Sequence, residues 1–564
     1  MKKLLGIVGA IILTLTAGIS LVACGGEIEK IDSSRTQLYV GTYDGAYGTA
    51  WLYRAKEKFE EKYKDVHFEE GKTGVQVLIE PNGSYIGTSL RDTIQNNKND
   101  VFFIEDVNYY DFVGLGKIAN ITDVVTTPLT EFGENKTIES KLDPTVKNFL
   151  KRKSDNQYFA LPFYQAYGGI IYDMDLFADN YFYLSDKSTD EKPAFVSKSY
   201  QTKSYGLDGE PGTFDDGLPV TYDEFFALCD RIASAGMTPL IWSGAYPNYL
   251  TYLLQSLWAD YEGRDSIMRN FTFEGETTIL KMENGRVIQN ADGSYQTETL
   301  KVTPETGNDL ARQPGRYYAL KFLEKIMTAE GWRSQSCTNT FADQNTTHLE
   351  YLRSAYSSSS SPIAMMIEAT WWEGEAEKGG QFDAVAANNP GKDRMGRNLG
   401  FMPLPKATRD KVVEKSTYIA LNKTAAMINA KSTGVSLDLA KKFLMYCYTD
   451  AALNDFSAIT SSSFFVNYEV KEETKKEMSP YGRQLLQIRE TSDIIYPASQ
   501  SEMFMNNQVA LDPNSLWWAN IDGMTYKIPA SYMKEHTGNL ADVYFKGIID
   551  YYNLNWAGYI GNLH

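Results

Sequence analysis

Acidic and aromatic side chains that follow predicted strands are the residues of this chain best suited to chemistry. Tyr43 and Asp44 come directly after the apolar residues 38–40, and Glu105 and Asp106 come directly after residues 101–104. A carboxylate accepts hydrogen bonds, and a tyrosine ring combines a flat apolar face with a polar edge. These residue types indicate a ligand that has apolar faces and polar edges.

Paired carboxylates also permit a second chemistry, the hydrolysis of glycosides, which needs two carboxyl groups at a defined separation. The carboxylates available for such a pair are Glu105, Asp106, Glu368 and Glu373. Acidic residues abound in this chain, and the sequence does not fix the distance between any two of them. A binding site and a hydrolytic site therefore both stay open on these residues alone.

Metal chemistry has less support. The four histidines are scattered, at positions 67, 348, 536 and 564, so no histidine-based metal site or histidine-dependent triad is predicted. A Gly/Pro-rich turn over residues 208–216 carries four acidic side chains, and Ca²⁺ favours flexible oxygen-rich loops. Because the spacing differs from the twelve-residue calcium loop, we interpret this segment as an acidic turn, with structural calcium as the alternative.

The N-terminal elements place the first acidic residues at one edge of a sheet. Strands are predicted over residues 38–40, 75–79 and 101–104, with helices over residues 51–63 and 85–96 between them. This β-α-β-α-β order predicts parallel strands. Ligands of such sheets bind at the carboxyl ends of the strands, where Asp44 and Glu105 lie.

The chain begins with a targeting segment. Lys2 and Lys3 precede an apolar run over residues 4–15, and Leu21-Val22-Ala23-Cys24 follows, which is typical of a secretory signal. The last four residues resemble the lipobox of bacterial lipoproteins. The resemblance predicts a signal peptide over residues 1–23, lipidation of Cys24 and a tether over residues 24–35. It thus predicts a protein held by acyl chains on the outer face of the cell membrane, with an uncleaved anchor helix as the alternative.

Size and charge bound the remaining possibilities. Removal of residues 1–23 from the 564 leaves 541, and the formal net charge goes from −17 to −19 because two lysines are lost. That length favours two lobes or more, and the negative charge argues against nucleic acid as a partner. The remaining cysteines, Cys229, Cys337 and Cys447, are odd in number and do not indicate a disulfide framework.

The stretch from residue 161 to residue 177 divides the chain. Tyr164 and Tyr167 offer polar and aromatic surface, Gly168-Gly169 restricts the backbone little, and residues 170–172 read as a buried strand. This pattern fits a crossing between two lobes and equally a βα connection within one domain. Apolar and polar residues alternate over residues 271–302, around Asn284-Gly285 and Asp292-Gly293. This pattern predicts a β-hairpin or meander inserted after this stretch.

Several short motifs resemble the extracellular solute-binding proteins of carbohydrate ABC transporters, the maltose-binding type. These motifs, in family order, are Asp100-Val101-Phe102-Phe103, Gly169-Ile170-Ile171-Tyr172, Val220-Thr221-Tyr222-Asp223-Glu224-Phe225, Pro239-Leu240-Ile241-Trp242, Ala364-Met365-Met366-Ile367-Glu368-Ala369-Thr370-Trp371-Trp372 and Leu399-Gly400-Phe401-Met402-Pro403-Leu404-Pro405. The resemblance implies a type II periplasmic-binding-protein-like α/β fold with a ligand cleft between two lobes.

The same resemblance implies the course of the chain. Crossings are expected near residues 164–169 and 400–405. Lobe one is expected to comprise residues 36–166 and 404–456, and lobe two residues 167–403 and 457–564, with the β-hairpin insertion in lobe two.

The family also implies a site that holds a sugar. Asp44, Glu105 and Asp106 would accept hydrogen bonds from its hydroxyl groups, with Tyr43 beside them and Tyr164 at the crossing. The rings expected to stack on the sugar from lobe two are those of Trp242, Tyr246 and Trp371. Trp372 is expected to pack inside, and Trp517-Trp518 match a family position that also stacks sugar.

The resemblance implies a binding protein without catalytic residues, cofactor or metal, apart from the calcium alternative. It would capture a sugar or oligosaccharide outside the cell as a monomer and deliver it to ABC permease subunits in the membrane. An extracellular glycoside hydrolase and a sugar-sensing surface protein of similar fold are the alternatives.

Overall fold

The computed structural model describes residues 29–87, 89–421, 424–496 and 513–561, so the predicted signal and Cys24 lie outside the described residues. The strands are β1 Thr36–Thr42, β2 Val75–Pro81, β3 Val101–Ile104, β4 Gly168–Asp173, β5 Thr238–Ile241, β6 Glu276–Leu280, β7 Met282–Glu283, β8 Arg286–Val287, β9 Thr297–Lys301, β10 Ile363–Ala369, β11 Leu399–Met402, β12 Thr417–Ile419, β13 Ala425–Ile428, β14 Asp493–Ile495, β15 Ala519–Ile521 and β16 Met524–Tyr526.

The α-helices connect and cover these strands. They are Ala50–Lys62, Ser89–Thr93, Tyr109–Gly114, Thr122–Thr126, Ile138–Lys141, Pro144–Leu150, Met174–Asp179, Tyr222–Ser234, Asn248–Thr272, Pro314–Thr328, Gln344–Ser354, Trp372–Lys378, Gln381–Ala386, Gly434–Cys447, Asp450–Thr460, Glu472–Glu477, Pro480–Thr491, Pro529–Glu535 and Leu540–Ile560. Within the described ranges, no helix combines the length and the apolar character that a membrane crossing requires.

The first lobe is built on a four-stranded sheet with the order β13-β3-β1-β2. β1 pairs in parallel with β2 and with β3, which confirms the predicted parallel arrangement. The helix Ala50–Lys62 buries Trp51, Leu52 and Phe59 against this sheet.

The prediction of one helix over residues 85–96 was wrong. The chain makes a turn at Tyr85, a short helix Ser89–Thr93 and a 3₁₀ turn Ile94–Asn96. The Tyr85 hydroxyl accepts hydrogen bonds from the side-chain amides of Asn97 (2.8 Å) and Asn99 (3.0 Å). These contacts hold Tyr85 against the end of the segment instead of inside a continuous helix.

The second lobe is built on a sheet with the order β11-β4-β10-β5. β4 lies between β11 and β10 and is antiparallel to both, and β10 is parallel to β5. The helix Tyr222–Ser234 begins at the predicted cap, because the Thr221 hydroxyl accepts a hydrogen bond from the Glu224 N–H. β10 ends at Ala369, and Trp372 starts a helix in which its side chain is fully buried.

The chain passes between the sheets where the first crossing was predicted. Leu161 pairs with Ala426 of β13 in the first lobe, and Gly168 begins β4 in the second. The glycines are needed here for close approach: a Cβ on Gly168 would lie 2.3 Å from the carbonyl carbon of Tyr252, and one on Gly169 would lie 2.1 Å from the ring of Phe401. This pair is therefore tightly packed.

The return crossing differs from the predicted one near residues 400–405. β11 is an edge strand of the second sheet, and the buried Lys406 forms an ion pair with Asp260 of the second lobe (2.7 Å). The chain reaches the first lobe only after β12, where the Leu421 N–H donates to the Ala166 carbonyl (2.8 Å). The predicted boundary at residue 404 is thus too early, because the Lys406–Asp260 pair fixes this segment to the second lobe.

An insertion and the C-terminal segment enlarge the second lobe. β6 and β9 form an antiparallel ladder, with the small β7–β8 ladder beyond it. A Cβ on Gly307 would lie 2.3 Å from the Trp556 ring, so the C-terminal helix Leu540–Ile560 packs closely on the segment that follows β9. Trp517 is fully buried, with its ring centre 5.9 Å from that of Trp258.

Candidate functional site

Four predicted site residues lie together at the carboxyl ends of β1 and β3. The Tyr43 N–H donates to the Phe103 carbonyl (2.8 Å), which holds the loop after β1 beside β3. A Cβ on Gly45 would lie 2.7 Å from Glu105 Oε1, so the backbone of this loop runs against that carboxylate. Asp106 is exposed and adopts a left-handed backbone conformation with φ 54°.

The pKa of Tyr43 reports the acidic character of this edge. Burial raises the pKa of Tyr43 to about 12, and the negative charges of Glu105, Asp106 and Glu375 add to the increase. Tyr164 is buried, and its pKa is raised by burial and then by the neighbouring Glu105. The structure therefore brings Tyr164 from the crossing segment to the carboxylates of the first lobe.

An aromatic wall faces this edge from the second lobe. Trp371 stands at the N-terminus of the helix Trp372–Lys378, and the Tyr252 ring meets it edge-on with 5.9 Å between ring centres. Burial raises the pKa of Tyr252 to about 12, and the charges of Asp106 and Glu375 add to the increase. Trp371 is 8 % exposed, and its indole N–H has no hydrogen-bond partner within the described ranges.

Two carboxyl groups of the second lobe, those of Glu368 and Glu375, lie close to Tyr252. Burial raises the pKa of Glu368 well above its usual range, and the nearby Glu375 adds to the increase. Burial also raises the pKa of Glu375, to about 7. Burial lowers the pKa of His348 to about 3, so the imidazole beside Glu368 is neutral at physiological pH.

The two lobes are in contact around this site. Lys378 Nζ donates to the side chain of Asp44 (2.6 Å) and to its carbonyl oxygen (3.2 Å). The Tyr47 hydroxyl lies 3.4 Å from the Thr370 hydroxyl and 3.4 Å from the Gln165 carbonyl oxygen. A Cβ on Gly374 would lie 2.6 Å from the Ala46 carbonyl oxygen. The cleft is therefore closed in this structure.

The other predicted stacking residues lie apart from this group or inside the core. Trp242 is 2 % exposed, and Tyr246 is 47 % exposed on a loop that packs against residues 336–342. Trp517 is fully buried and packs against Trp258, so its ring offers no open surface on which a sugar could stack. Trp518 is half-buried beside Tyr551. A role for Trp242 and Tyr246 in sugar binding stays a prediction.

The acidic turn over residues 208–216 is internally hydrogen-bonded. The Asp215 carboxylate accepts from the N–H groups of Leu207 (2.6 Å) and Asp208 (3.1 Å), and the Asp216 carboxylate accepts from the Gly212 N–H (2.7 Å). These bonds account for the turn by itself, since Asp side chains commonly bond nearby backbone groups. Calcium binding at this turn stays a prediction.

Sequence reasoning missed five of the residues that complete the site: Tyr47, Tyr249, Tyr252, Glu375 and Lys378. Tyr249 and Tyr252 are three residues apart in one helix and so share a face, which is a detectable signal. That spacing is also typical of core residues. Tyr47 contacts Gln165 and Thr370, and Lys378 contacts Asp44, only because the two lobes meet. A local sequence pattern does not predict contacts of this kind.

Comparison with known proteins agrees with the resemblance inferred from the sequence. Residues 45–308 match the family described as bacterial extracellular solute-binding protein. No curated protein matches the chain.

Several solved structures of carbohydrate-binding proteins are similar to this chain. A chitin oligosaccharide binding protein shares 12 % identity with a TM-score of 0.53, over 93 % of this chain and 100 % of its own. RafE in complex with raffinose shares 13 % sequence identity with a TM-score of 0.51, and the match covers 92 % of this chain and 99 % of RafE. The cyclic α-maltosyl-1,6-maltose binding protein from Arthrobacter globiformis shares 11 % sequence identity with a TM-score of 0.51. That match covers 93 % of this chain and 100 % of the other.

These likenesses confirm the two-lobed α/β fold over most of the chain. The sequence match adds a similarity to that family for the part that contains β2 to β9 and the first crossing. Residues 45–308 are therefore similar to the bacterial extracellular solute-binding protein family, and the chain as a whole has the two-lobed fold of the solved structures named above.

Proposed function

We propose that this protein captures a sugar or oligosaccharide in the cleft between its lobes and delivers it to an ABC permease. The observation that carries the proposal is the meeting of two kinds of surface in one closed cleft. Hydrogen-bond acceptors come from Asp44, Glu105 and Asp106 of the first lobe. The rings of Trp371 and Tyr252 come from the second.

This combination suits a pyranose better than other small solutes. The C–H face of the sugar ring packs against an aromatic ring, and the hydroxyl groups at its edge donate to carboxylates. The structural relatives are named for carbohydrates such as raffinose and chitin oligosaccharide, which supports the same class of solute.

The cellular setting belongs to the same proposal. The similarity of residues 45–308 to an extracellular solute-binding family supports a location outside the cytoplasm. We infer from the lipobox-like ending that Cys24 is lipidated and holds the protein on the membrane beside its permease. Detergent-phase partitioning of the wild-type protein, and failure of Cys24→Ala to mature normally, would support the anchor.

The hydrolase alternative has less support. Glu373, one of the four candidate carboxylates, forms an ion pair with Arg394 (3.1 Å) and accepts a hydrogen bond from Ser479 (2.8 Å). It is buried and held by these two partners, whereas an acid or base must reach the substrate. The relatives cited above are named as binding proteins.

A thermal-shift screen of the purified full chain over a glycan panel tests the proposal. A ligand at about a hundredfold excess over its Kd adds about 2.7 kcal/mol to the free energy of unfolding, which is easily seen. Each glycan that shifts the unfolding temperature is then incubated with the protein and examined for hydrolysis products. Saturable binding without product supports the proposal, and turnover would assign the cleft to a hydrolase.

A further inference from the structure

A cluster in the second lobe joins one imidazole to two carboxylates. One ligand atom from each of His348, Glu368 and Glu375 lies within 4.8 Å of the other two. His348 Nε2 lies 3.3 Å from Glu368 Oε1, and both side chains are buried. The cluster unites residues from the helix Gln344–Ser354, the strand β10 and the helix Trp372–Lys378.

Within the described residues, the cluster lacks the cationic partner that three other buried carboxylates of this lobe possess. These three carboxylates form the ion pairs Asp173–Arg397 (2.7 Å), Asp260–Lys406 (2.7 Å) and Glu373–Arg394 (3.1 Å). Across the described residues, neither Glu368 nor Glu375 forms an ion pair with a lysine or arginine. Two carboxylates that are close together in a medium of low dielectric repel each other, so a positive charge is favoured between them.

The polar atoms of the cluster are also incompletely satisfied. His348 is fully buried, and its Nδ1 has no hydrogen-bond partner within the described ranges, so the only polar side-chain contact of the ring is with the cluster. Glu375 Oε2 is likewise buried and without a partner there. An unsatisfied buried polar group is unfavourable, and a bound ion would use the carboxylate lone pairs that hydrogen bonds leave free.

The ring orientation is fixed by packing. The Trp372 indole lies edge-on to the His348 imidazole, with 5.8 Å between ring centres, and the same indole meets Tyr351 at 6.1 Å. Two ligands of one tetrahedral metal, each at about 2.0–2.2 Å, are roughly 3.4 Å apart. The 3.3 Å between His348 Nε2 and Glu368 Oε1 fits that spacing.

We propose that His348, Glu368 and Glu375 form a binding site for a divalent first-row transition cation, and that Zn²⁺ binds there. A set of one nitrogen and two oxygen donors suits these ions, whereas Ca²⁺ and Mg²⁺ favour oxygen ligands alone. Three protein ligands leave one coordination position for water or another small ligand. Glu375 also lies near Tyr43 of the first lobe, so the site borders the cleft. The proposal stands whatever solute the cleft takes.

Zinc titration of the chelator-treated full chain tests this assignment by calorimetry. We expect one Zn²⁺ per chain, with affinity reduced in Glu375→Gln by at least the roughly 10–100-fold that loss of an outer-shell partner costs. Glu377→Gln is the matched control, because it changes an exposed residue of the same helix and should bind like the wild type. His67→Gln tests for adventitious binding at a surface histidine.

Cobalt substitution gives a readout on the unmodified protein. Co²⁺ in a tetrahedral nitrogen–oxygen site should give visible absorption bands that Zn²⁺ abolishes, and Glu368→Gln should lose them while circular dichroism shows the native fold. Absence of stoichiometric Zn²⁺ binding to the wild type overturns the proposal. Retention of full affinity by both Glu375→Gln and Glu368→Gln, or its loss in His67→Gln, overturns it as well.

Discussion

Asp106 combines an exposed carboxylate with a backbone that few residues tolerate. Its φ of 54° lies in the left-handed region, where asparagine and aspartate are enriched. Asp106→Asn should therefore keep the fold and exchange an acceptor-only group for one that also donates. We expect sugar affinity to fall by about 1.5–3 kcal/mol, the range for hydrogen bonds to a charged group, with unchanged urea unfolding. Undiminished affinity in calorimetry would exclude Asp106 from the site.

Trp371 and Trp517 are both buried, but they lie in different surroundings. Trp371 directly precedes the helix Trp372–Lys378, whose Gly374 packs on Ala46 of the first lobe. Trp371→Ala should therefore lower sugar affinity by about 1–3 kcal/mol, the scale for losing an anchor or a ring stack. Trp517 packs on Trp258 in the second lobe, so Trp517→Ala should cost about 3–5 kcal/mol of unfolding free energy. Calorimetry and urea unfolding on both variants separate these effects. A folded Trp371→Ala protein with wild-type affinity would place Trp371 in the core alone.

At the scale of elements, Gly168 permits β4 to touch the helix Asn248–Thr272. Gly168→Ala would bring a methyl group to 2.3 Å from the Tyr252 carbonyl carbon, and backbone cannot move aside cheaply. We expect a loss of about 1–3 kcal/mol of unfolding free energy, the usual cost of overpacking. Gly114→Ala is the control, since a Cβ there meets no atom within 4 Å. Equal urea midpoints for both variants would contradict this account.

The same helix carries a carboxyl group whose titration is linked to stability. Glu262 accepts hydrogen bonds from the Gly315 N–H (2.8 Å) and the Ser266 hydroxyl (2.8 Å), and burial raises its pKa from 4.5 to about 7. The folded state therefore binds this proton more tightly than the unfolded state. The corresponding stability is present below pH 4.5 and is lost as the pH rises to about 7.

Glu262→Gln removes this titration. The stability of the wild type relative to that of the variant should fall by about 2–3 kcal/mol between about pH 4.5 and pH 7, at about 1.36 kcal/mol per pKa unit. Urea unfolding across this range measures the difference. Glu477→Gln, at an exposed position, should show no such trend. A pH-independent difference between the wild type and Glu262→Gln would show that the group titrates normally.

Local patterns predicted the strands of both sheets more reliably than the site. β3 and the cap at Thr221 follow from a short apolar run and from the preference of threonine for that position. The helix over residues 85–96 failed because side-chain amides distant by several residues bind Tyr85. His348 appeared isolated in the sequence, since its two acidic neighbours come from other elements that only the folded sheet brings near.

At the scale of the whole molecule, backbone pairing joins several of the described segments near the crossing. β12 pairs in parallel with β14, the Tyr164 backbone pairs with Phe464, and the Phe465 N–H donates to the Phe163 carbonyl (2.8 Å). Hinge closure needs only a few such residues to change their backbone angles. When several strands cross between the lobes together, rotation of the lobes about one axis is favoured over free bending of the connection.

The closed cleft predicts a change of shape on ligand binding. A sugar that contacts both lobes favours the closed form over open forms in solution, because only the closed form offers both sets of contacts. Small-angle scattering should therefore give a smaller radius of gyration for the full chain with saturating ligand. Asp106→Asn at the same sugar concentration is the control, since it should remain less saturated. An identical radius with and without a tight ligand would contradict the closing-clamp account.

Under the proposed function, Lys378 would compete with the solute from within the molecule. It donates to Asp44, the carboxylate predicted to receive a sugar hydroxyl, and both side chains are partly exposed, at 46 % and 38 %. A tethered competitor has an effective concentration on the order of millimolar, and the measured affinity is the intrinsic affinity multiplied by the fraction of molecules in which Asp44 is released. Dissolved salt screens the pair and raises that fraction. We therefore expect ionic strength to set how readily the empty protein would accept a sugar at Asp44.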